Sequence, residues 1–256
     1  MTKNDQSEII GIVGGVGPYA GVDLKKKIFD NTKAFSDQEH LEIYLLSSSN
    51  RITDRTAFLN DPSNLENPAI AIFNVIKKLY KIGADVIGIP CNTSHSPLIF
   101  DKIKFLIDNE DINVELLNMI EETNLYIKNE LKDVKKAGLL ATLGTYGSMV
   151  YQETFKSSNI EILIPDENDK ERVHKAIYDK SYGVKAFSNP VAKKAKEEFK
   201  NVITALKTKG AQAIILGCTE IPLALNNEDS DIPLIDPTTV LARALISRVD
   251  KNKLKN

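Results

Sequence analysis

A shift of 127 positions lays the second half of this 256-residue chain on the first. Asn74-Val75-Ile76 then falls on Asn201-Val202-Ile203, Leu79 on Leu206, Gly83-Ala84 on Gly210-Ala211, Ile87 on Ile214, and Cys91 on Cys218. The same shift places Gly11, Gly17 and Tyr19 on Gly138, Gly144 and Tyr146. One offset linking two separate stretches marks an internal repeat. Its period is enough chain for a small domain with its own core. The chain is therefore expected to fold as two related halves. Each half delivers one of the only two cysteines from the same place.

Short apolar runs alternate with helical patterns, the signature of an α/β fold with mostly parallel sheets. Strands are expected near Ile9–Val13, Leu41–Leu46, Asp85–Ile89 and Val114–Leu117, and again near Ala137–Ala141, Ile160–Ile164, Ala213–Leu216 and Pro233–Ile235. These runs are nearly continuous in apolar residues, as strands covered by helices on both faces must be. Helical spacing over Leu65–Lys81 and Pro190–Lys207 puts one apolar face on each segment. Ser96-Pro97 and Asp236-Pro237 pair a capping residue with a proline at the first helical position, and so should each open a helix. The boundary between halves is expected near residue 108 or within Asn129–Lys136, and the polar tail beyond Arg248 reads as frayed.

Composition narrows the function classes. A net charge of −2 argues against a nucleic-acid or anionic-membrane surface. The runs Lys25-Lys26-Lys27 and Lys193-Lys194 read as solvated helix faces. No apolar run approaches the ~18 residues of a membrane helix, and the polar start of the chain lacks the apolar centre of a signal peptide, so a cytoplasmic location is expected. Two cysteines make no disulfide framework, and without a Cys-X-X-Cys pair no structural zinc site is expected. The three histidines, His40, His95 and His174, show no metal-ligand spacing.

Each cysteine follows a buried strand, and in open parallel sheets the carboxyl ends of strands line the ligand crevice. Backbone N–H groups and a helix dipole at that point lower a thiol's pKa. A buried free cysteine is more often a small hydrophobe, but two at equivalent strand ends, followed by Asn92-Thr93-Ser94-His95 and Thr219-Glu220, point to chemistry. The turns Gly14-Gly-Val-Gly17-Pro-Tyr-Ala-Gly21 and Thr142-Leu-Gly-Thr145-Tyr-Gly-Ser148 offer N–H groups to an anion. With neither a P-loop nor a ribose-binding acid, a carboxylate fits these turns better than a nucleotide, and plain tight turns remain the bland alternative. Arg51 and Arg55 lie just past the second strand, where an arginine can grip a carboxylate through two parallel hydrogen bonds or else make a surface ion pair. His95 could orient the loop after Cys91 or act as a base, and Lys185 taken alone is ordinary surface.

These motifs together resemble the cofactor-independent aspartate/glutamate racemase superfamily, most closely its aspartate racemase branch. The resemblance rests on Gly-Gly-Val-Gly17-Pro, Asp54-Arg55-Thr56, Cys91-Asn92-Thr93 with His95, Leu140-Ala-Thr142-Leu-Gly-Thr145, Gly183-Val-Lys185-Ala and Gly217-Cys218-Thr219-Glu220, and it spans nearly the whole chain. It implies two pseudo-symmetric α/β domains, each with a mostly parallel four-stranded sheet flanked by helices, and an active site in the cleft between them. Residues 1–108 with the C-terminal segment 233–256, whose helix crosses back, would form the first domain, and 109–232 the second. A homodimer is implied, with no cofactor and no metal. Carried over, Cys91 and Cys218 are the two catalytic bases. Asn92, Thr93 and Thr219 hold the α-carboxylate, and Arg55 and Lys185 meet the substrate's charge. Thr142 and Thr145 lie in the matching loop of the second domain, Glu220 stands beside a base, and Gly17, Arg51 and His95 are supporting candidates. Tyr19-Ala20-Gly21 and Thr53 depart from the common pattern near the side-chain end of the site.

The chemistry stands beside the resemblance. Inverting an α-carbon means taking a proton from one face and returning one to the other, so a matched pair of thiols suits racemisation, and Arg55 together with Lys185 argues for an acidic side chain. The alternatives are a non-catalytic acidic amino-acid-binding protein, or another isomerase or decarboxylase of the same fold.

Overall fold

A computed structural model describes residues 8–255; the N-terminal residues 1–7, part of the polar start of the chain, and Asn256 lie outside the described residues. The elements run β1 (Ile10–Gly14), α1 (Pro18–Asn31), β2 (Ile43–Ser47), α2 (Arg55–Asn60), α3 (Pro68–Lys81), β3 (Val86–Gly88), α4 (Pro97–Asn109), β4 (Glu115–Leu116) and α5 (Met119–Glu130). The second half continues with β5 (Lys136–Ala141), α6 (Leu143–Ser148), α7 (Val150–Phe155), β6 (Glu161–Leu163), α8 (Glu167–Tyr178), α9 (Lys193–Thr208), β7 (Ala213–Gly217), β8 (Leu234–Ile235) and α10 (Pro237–Asp250). Two parallel four-stranded sheets result, ordered β2-β1-β3-β4 and β6-β5-β7-β8. The eight expected strands are all present, with ends shifted by up to two residues.

The repeated residues do the same work in both halves. Gly83 and Gly210 end α3 and α9 at φ +105° and +97°, a region in which a side chain would be strained. The N–H of the next residue then closes the helix: Ala84 donates to Leu79 O and Ala211 to Leu206 O, each at 3.0 Å. Close packing repeats as well. A Cβ on Gly11 would lie 3.2 Å from Ile87, and one on Gly138 would lie 2.7 Å from Ile214 and 3.1 Å from Leu206. The shared words thus record one helix-on-sheet contact used twice.

Helix α3 buries Ala69, Ile72, Phe73, Ile76 and Leu79, with the Asn67 side chain accepting from Ala69 N–H at its start. Helix α9 buries Ala195, Phe199, Val202, Ile203 and Leu206. It begins at Lys193, not Pro190, because Ser188 and Val191 close a turn ahead of it. Asp236 caps α10 as expected, through Thr238 N–H, whereas Ser96 holds the cap position of α4 without a side-chain bond.

Four expectations need correction. The boundary at residue 108 would cut the first sheet, because β4 pairs with β3, and a division at 233 would cut the second, because β8 pairs with β7. By sheet membership the chain leaves the first half between Leu116 and Lys136 and returns with α10. That helix packs Leu241, Ala242, Leu245 and Ile246 against Ile10, Ile12, Leu24 and Ile28 of the first half. The tail is docked, not frayed: Leu254 bridges Thr32, Lys33 N–H donates to Lys253 O, and Lys255 N–H donates to Asn31 O. Backbone pairing holds it, which a polar side-chain pattern conceals. Lys27 is no solvated lysine, for it lies half-buried between Asp23 and Asp236.

Candidate active site

In each sheet the order in which strands are added reverses between the two central, parallel strands, β1 and β3 in one and β5 and β7 in the other, and crevices open at such points. The segments leaving these four strands face one another. Val16 follows β1, Cys91-Asn92-Thr93 follow β3, Thr142 follows β5, and Cys218-Thr219-Glu220 follow β7. With Arg55, Tyr178 and Lys185 they line one cavity between the halves. It holds about 260 Å³ of empty space, of which only about 10 Å³ can take the centre of a water molecule. That is about one water's worth, so the cleft is closed.

On the first wall, Arg55 opens α2 and is buried, donating from Nη2 to Val16 O at 2.7 Å. Burial alone would weaken its charge, but Cys91 first, then Asp54 and Tyr178, hold the guanidinium firmly ionised. Cys91 is 6% exposed. His95 sits one short turn further on, stacked on Phe100 with ring centroids 4.8 Å apart. Its Nδ1 donates to Cys91 O at 2.9 Å, and its Nε2 accepts from Met119 N–H at 3.2 Å. Burial pushes its pKa down to about 4, more than its backbone bonds raise it. A neutral ring with both nitrogens engaged fixes the loop behind the thiol. Of the two roles open to His95, this arrangement supports the first.

The second wall carries a chain of charge. Lys185 Nζ lies 2.7 Å from Glu220 Oε1, and Cys218 Sγ donates to Glu220 Oε2 at 3.0 Å. Burial opposes the ionisation of Glu220, but Lys185 above all, then the Cys218 thiol and Arg55, hold its carboxyl below the usual range. Lys185, lowered by burial, is raised overall by Glu220 and then Cys218 and Tyr178. The Cys218 thiol is pushed well above its ordinary value by burial and then by Glu220, against the pull of Lys185 and the Glu220 N–H. These surroundings oppose the thiolate that a strand-end position alone would favour.

Threonine hydroxyls join the walls. Thr93 Oγ1 lies 2.9 Å from Thr145 Oγ1 and 3.3 Å from Thr142 Oγ1, and Thr56 donates to Thr142 at 3.4 Å. Thr142 also caps α6, accepting from Thr145 N–H.

The family model for Asp/Glu/hydantoin racemases matches residues 13–245 of this chain. The chain belongs to that family. Among similar structures of this racemase family, the Picrophilus torridus aspartate racemase is 34% identical, covers 97% of this chain and 96% of its own, and superposes with a TM-score of 0.81. The broad specificity amino-acid racemase RacX of Bacillus subtilis (strain 168) is 27% identical over 93% of this chain and 97% of its own. The Francisella tularensis glutamate racemase in complex with D-glutamate shares the fold, at 20% identity and a TM-score of 0.63 over 98% of this chain and 84% of its own.

Nearly every residue singled out from the racemase motifs is brought together. Cys91, Cys218, Arg55, Asn92, Thr93, Thr142, Lys185, Thr219 and Glu220 line the cavity or belong to its walls, with Thr145 bonded behind Thr93. Gly17 adjoins it at φ +134°, where a Cβ would sit 2.6 Å from Glu220 Oε1. Arg51 is not part of it: the residue is exposed, in a short turn that faces a separate surface depression with Glu66 and Lys77. The segment from Ser49 to Arg51 turns once before α2, which aims Arg55 inward and Arg51 out. Tyr178 and Val16 were missed. Tyr178 ends α8, donates to Asp54 Oδ2 at 3.1 Å and lies under Lys185 Nζ, 5.2 Å from its ring centroid. In the sequence it is one more apolar helical residue, and no signal separates it from core. Among the described residues, no cluster of three His, Cys, Asp or Glu is placed to hold a metal ion, and no helix is long and apolar enough to cross a membrane.

Proposed function

We propose that this chain is a cofactor-independent amino-acid racemase that interconverts the L and D forms of aspartate or glutamate by two-base proton transfer between Cys91 and Cys218. The observation that carries this reading is that both thiols line one closed cavity, one from each sheet, together with two cationic side chains. Glu220 neutralises Lys185, so Arg55 is the cation without a carboxylate ion-pair partner among the described residues, and it stands free to meet a carboxylate of an acidic amino acid. Arg55 and Lys185 favour an acidic side chain over the wide range named for the Bacillus relative.

In the forward direction Cys91, as thiolate, takes the α-proton. Cys218, held as a thiol by Glu220, returns a proton to the opposite face and is left as thiolate. The opposite enantiomer meets the thiols in exchanged states, and the reverse transfer restores them. The developing negative charge spreads into the α-carboxylate, which Asn92, Thr93 and Thr219 would hold by hydrogen bonds. An amino acid needs several times the space of one water, so the halves part to admit it and close to exclude solvent.

The test is incubation with L- and D-aspartate and L- and D-glutamate in D2O without added cofactor, following the α-proton by NMR and the enantiomers by chiral chromatography. Exchange with inversion is expected, and its loss in both Cys91→Ala and Cys218→Ala. Full racemisation by either variant refutes the two-base mechanism. Binding without exchange in the intact protein would leave an acidic amino-acid-binding protein.

A further inference from the structure

Asn92 is 2% exposed and lines the cavity, yet its Nδ2 has no hydrogen-bond partner. An amide that flips freely could present either oxygen or NH2 to a ligand, and these select opposite chemistries. Its orientation is settled from the other half of the molecule. Tyr151, on α7, reaches across so that its hydroxyl lies 2.5 Å from Asn92 Oδ1. Tyr151 is wholly buried, with Phe155 beside it at 5.9 Å between ring centroids. Among the described residues its hydroxyl has no second acceptor. Were Asn92 turned over, the phenolic proton would be left without a partner in a dry interior, a cost of about 1–3 kcal/mol. Tyr151 stays neutral, because burial, then Asp236 and Cys218, raise its pKa far above the ordinary value. It therefore remains a donor at every working pH.

We propose that Tyr151 is a positioning residue for substrate recognition: by donating to Oδ1 it locks the Asn92 amide with its NH2 turned into the cavity, so that position 92 offers donors alone and accepts a carboxylate oxygen, not an ammonium. This rests on the acidic amino-acid reading above and adds what sets the polarity of the carboxylate subsite. The bond also spans the two halves, from the segment after β3 to α7, so the donor is pre-set only when the halves are closed. Opening frees the amide and closing aims it.

The experiment is a double-mutant cycle of Tyr151→Phe and Asn92→Ala, read by calorimetric Kd for aspartate and glutamate and by KM and kcat. Tyr151→Phe is expected to raise Kd and KM about 3- to 10-fold, the worth of one hydrogen bond, with a further fall in kcat to the extent that the Asn92 bond strengthens as charge develops on the carboxylate. In the Asn92→Ala background the same change should have no effect on Kd, since no amide remains to orient. A merely structural role for Tyr151 predicts the same loss in both backgrounds, and that result overturns the proposal. So does an unchanged Kd in a folded Tyr151→Phe. Should Tyr151→Phe fail to fold, Asn92→Asp decides: with one oxygen fixed by Tyr151, the other faces the substrate carboxylate. Its Kd should then rise well beyond that of Asn92→Ala, and an equal or tighter Kd overturns the proposal. A wild-type protein that binds neither acid overturns this inference and the functional reading together, whereas normal binding with an unaffected cycle overturns this inference alone.

Discussion

Replacing Lys185 by Met should destabilise the fold by an amount that grows with pH, and Glu220 sets both the size and the slope. In the native site Glu220 is 4% exposed, and its Oε1 rests on Lys185 Nζ at 2.7 Å. Without the lysine, the Cys218 thiol at 3.0 Å and the Thr219 hydroxyl at 3.2 Å still donate to Oε2, but no cation remains beside Oε1. A buried carboxylate left in that state can escape by taking up a proton. At pH 7 that costs about 3.4 kcal/mol relative to a carboxyl titrating at 4.5, at 1.36 kcal/mol per pH unit, and this is the ceiling on the penalty. The sign follows from linkage. In Lys185→Met the folded pKa of Glu220 lies above its unfolded value. The folded state then binds the extra proton, and stability is retained at low pH and lost as pH rises from about 4.5 through the raised folded value. In the wild type the folded pKa lies below 4.5, so the stability from this group is present above 4.5 and lost as pH falls below it. The difference in urea-unfolding free energy between wild type and Lys185→Met should therefore widen by up to about 1.4 kcal/mol per unit above pH 5, towards a loss of about 2–3 kcal/mol at pH 7. The double variant Lys185→Met/Glu220→Gln should recover most of that loss and flatten the slope. A pH-independent difference, or a double variant as unstable as the single one, refutes the view that Lys185 keeps Glu220 ionised.

Three further outcomes follow from the same site. Gly17→Ala places a methyl 2.6 Å from Glu220 Oε1 at φ +134°, displacing the oxygen that Lys185 holds; kcat/KM should fall at least about 10-fold, in line with the ~1–3 kcal/mol of such strain, and wild-type kinetics would show that the turn yields freely. His95, with a folded pKa of about 4 against 6.5 in the unfolded chain, contributes stability that is full above pH 6.5 and lost as pH falls towards 4. His95→Gln, which cannot charge, should show a flatter urea midpoint across that range, and an equally steep one would mean that other groups dominate. Arg51→Ala should leave kcat/KM within about twofold, because the side chain faces a depression outside the cavity; a larger loss would return it to the substrate path.

The duplication, the parallel strands and most of the cavity wall were legible in the sequence because each rests on a local signal. Apolar runs mark strands, Gly83-Ala84 and Gly210-Ala211 mark the repeat, and a polar word after a buried strand marks a crevice. What stayed hidden depends on contacts between distant segments. Tyr151 and Tyr178 look like core residues until α7 and α8 are set against the first half, where their hydroxyls meet Asn92 and Asp54. The docking of Leu254 beside Thr32 is carried by backbone groups that no side-chain pattern reports. Arg51 and Arg55 are indistinguishable by type and by proximity to a strand end; one turn of chain between them decides which is buried.

The repeat suggests two equivalent thiols, and their surroundings are not equivalent. Cys91 shares its wall with Arg55, a cation with no acidic partner within salt-bridge distance among the described residues, whereas Cys218 is hydrogen-bonded to the anionic member of a Glu220–Lys185 pair. Two bases serving opposite faces of one carbon must differ in protonation at any instant, and a symmetrical site would leave that assignment to chance. In the proposed reaction the asymmetry makes it: a carboxylate beside Cys218 favours the thiol, and the Arg55 guanidinium lies on the side of Cys91. The feature the halves share is the placement of the thiols at equivalent strand ends, and under the proposed mechanism the division of labour between them comes from residues the halves do not share. Arg55 lies 127 positions from Tyr182, and Glu220 the same distance from Thr93, so neither charge has a counterpart across the repeat.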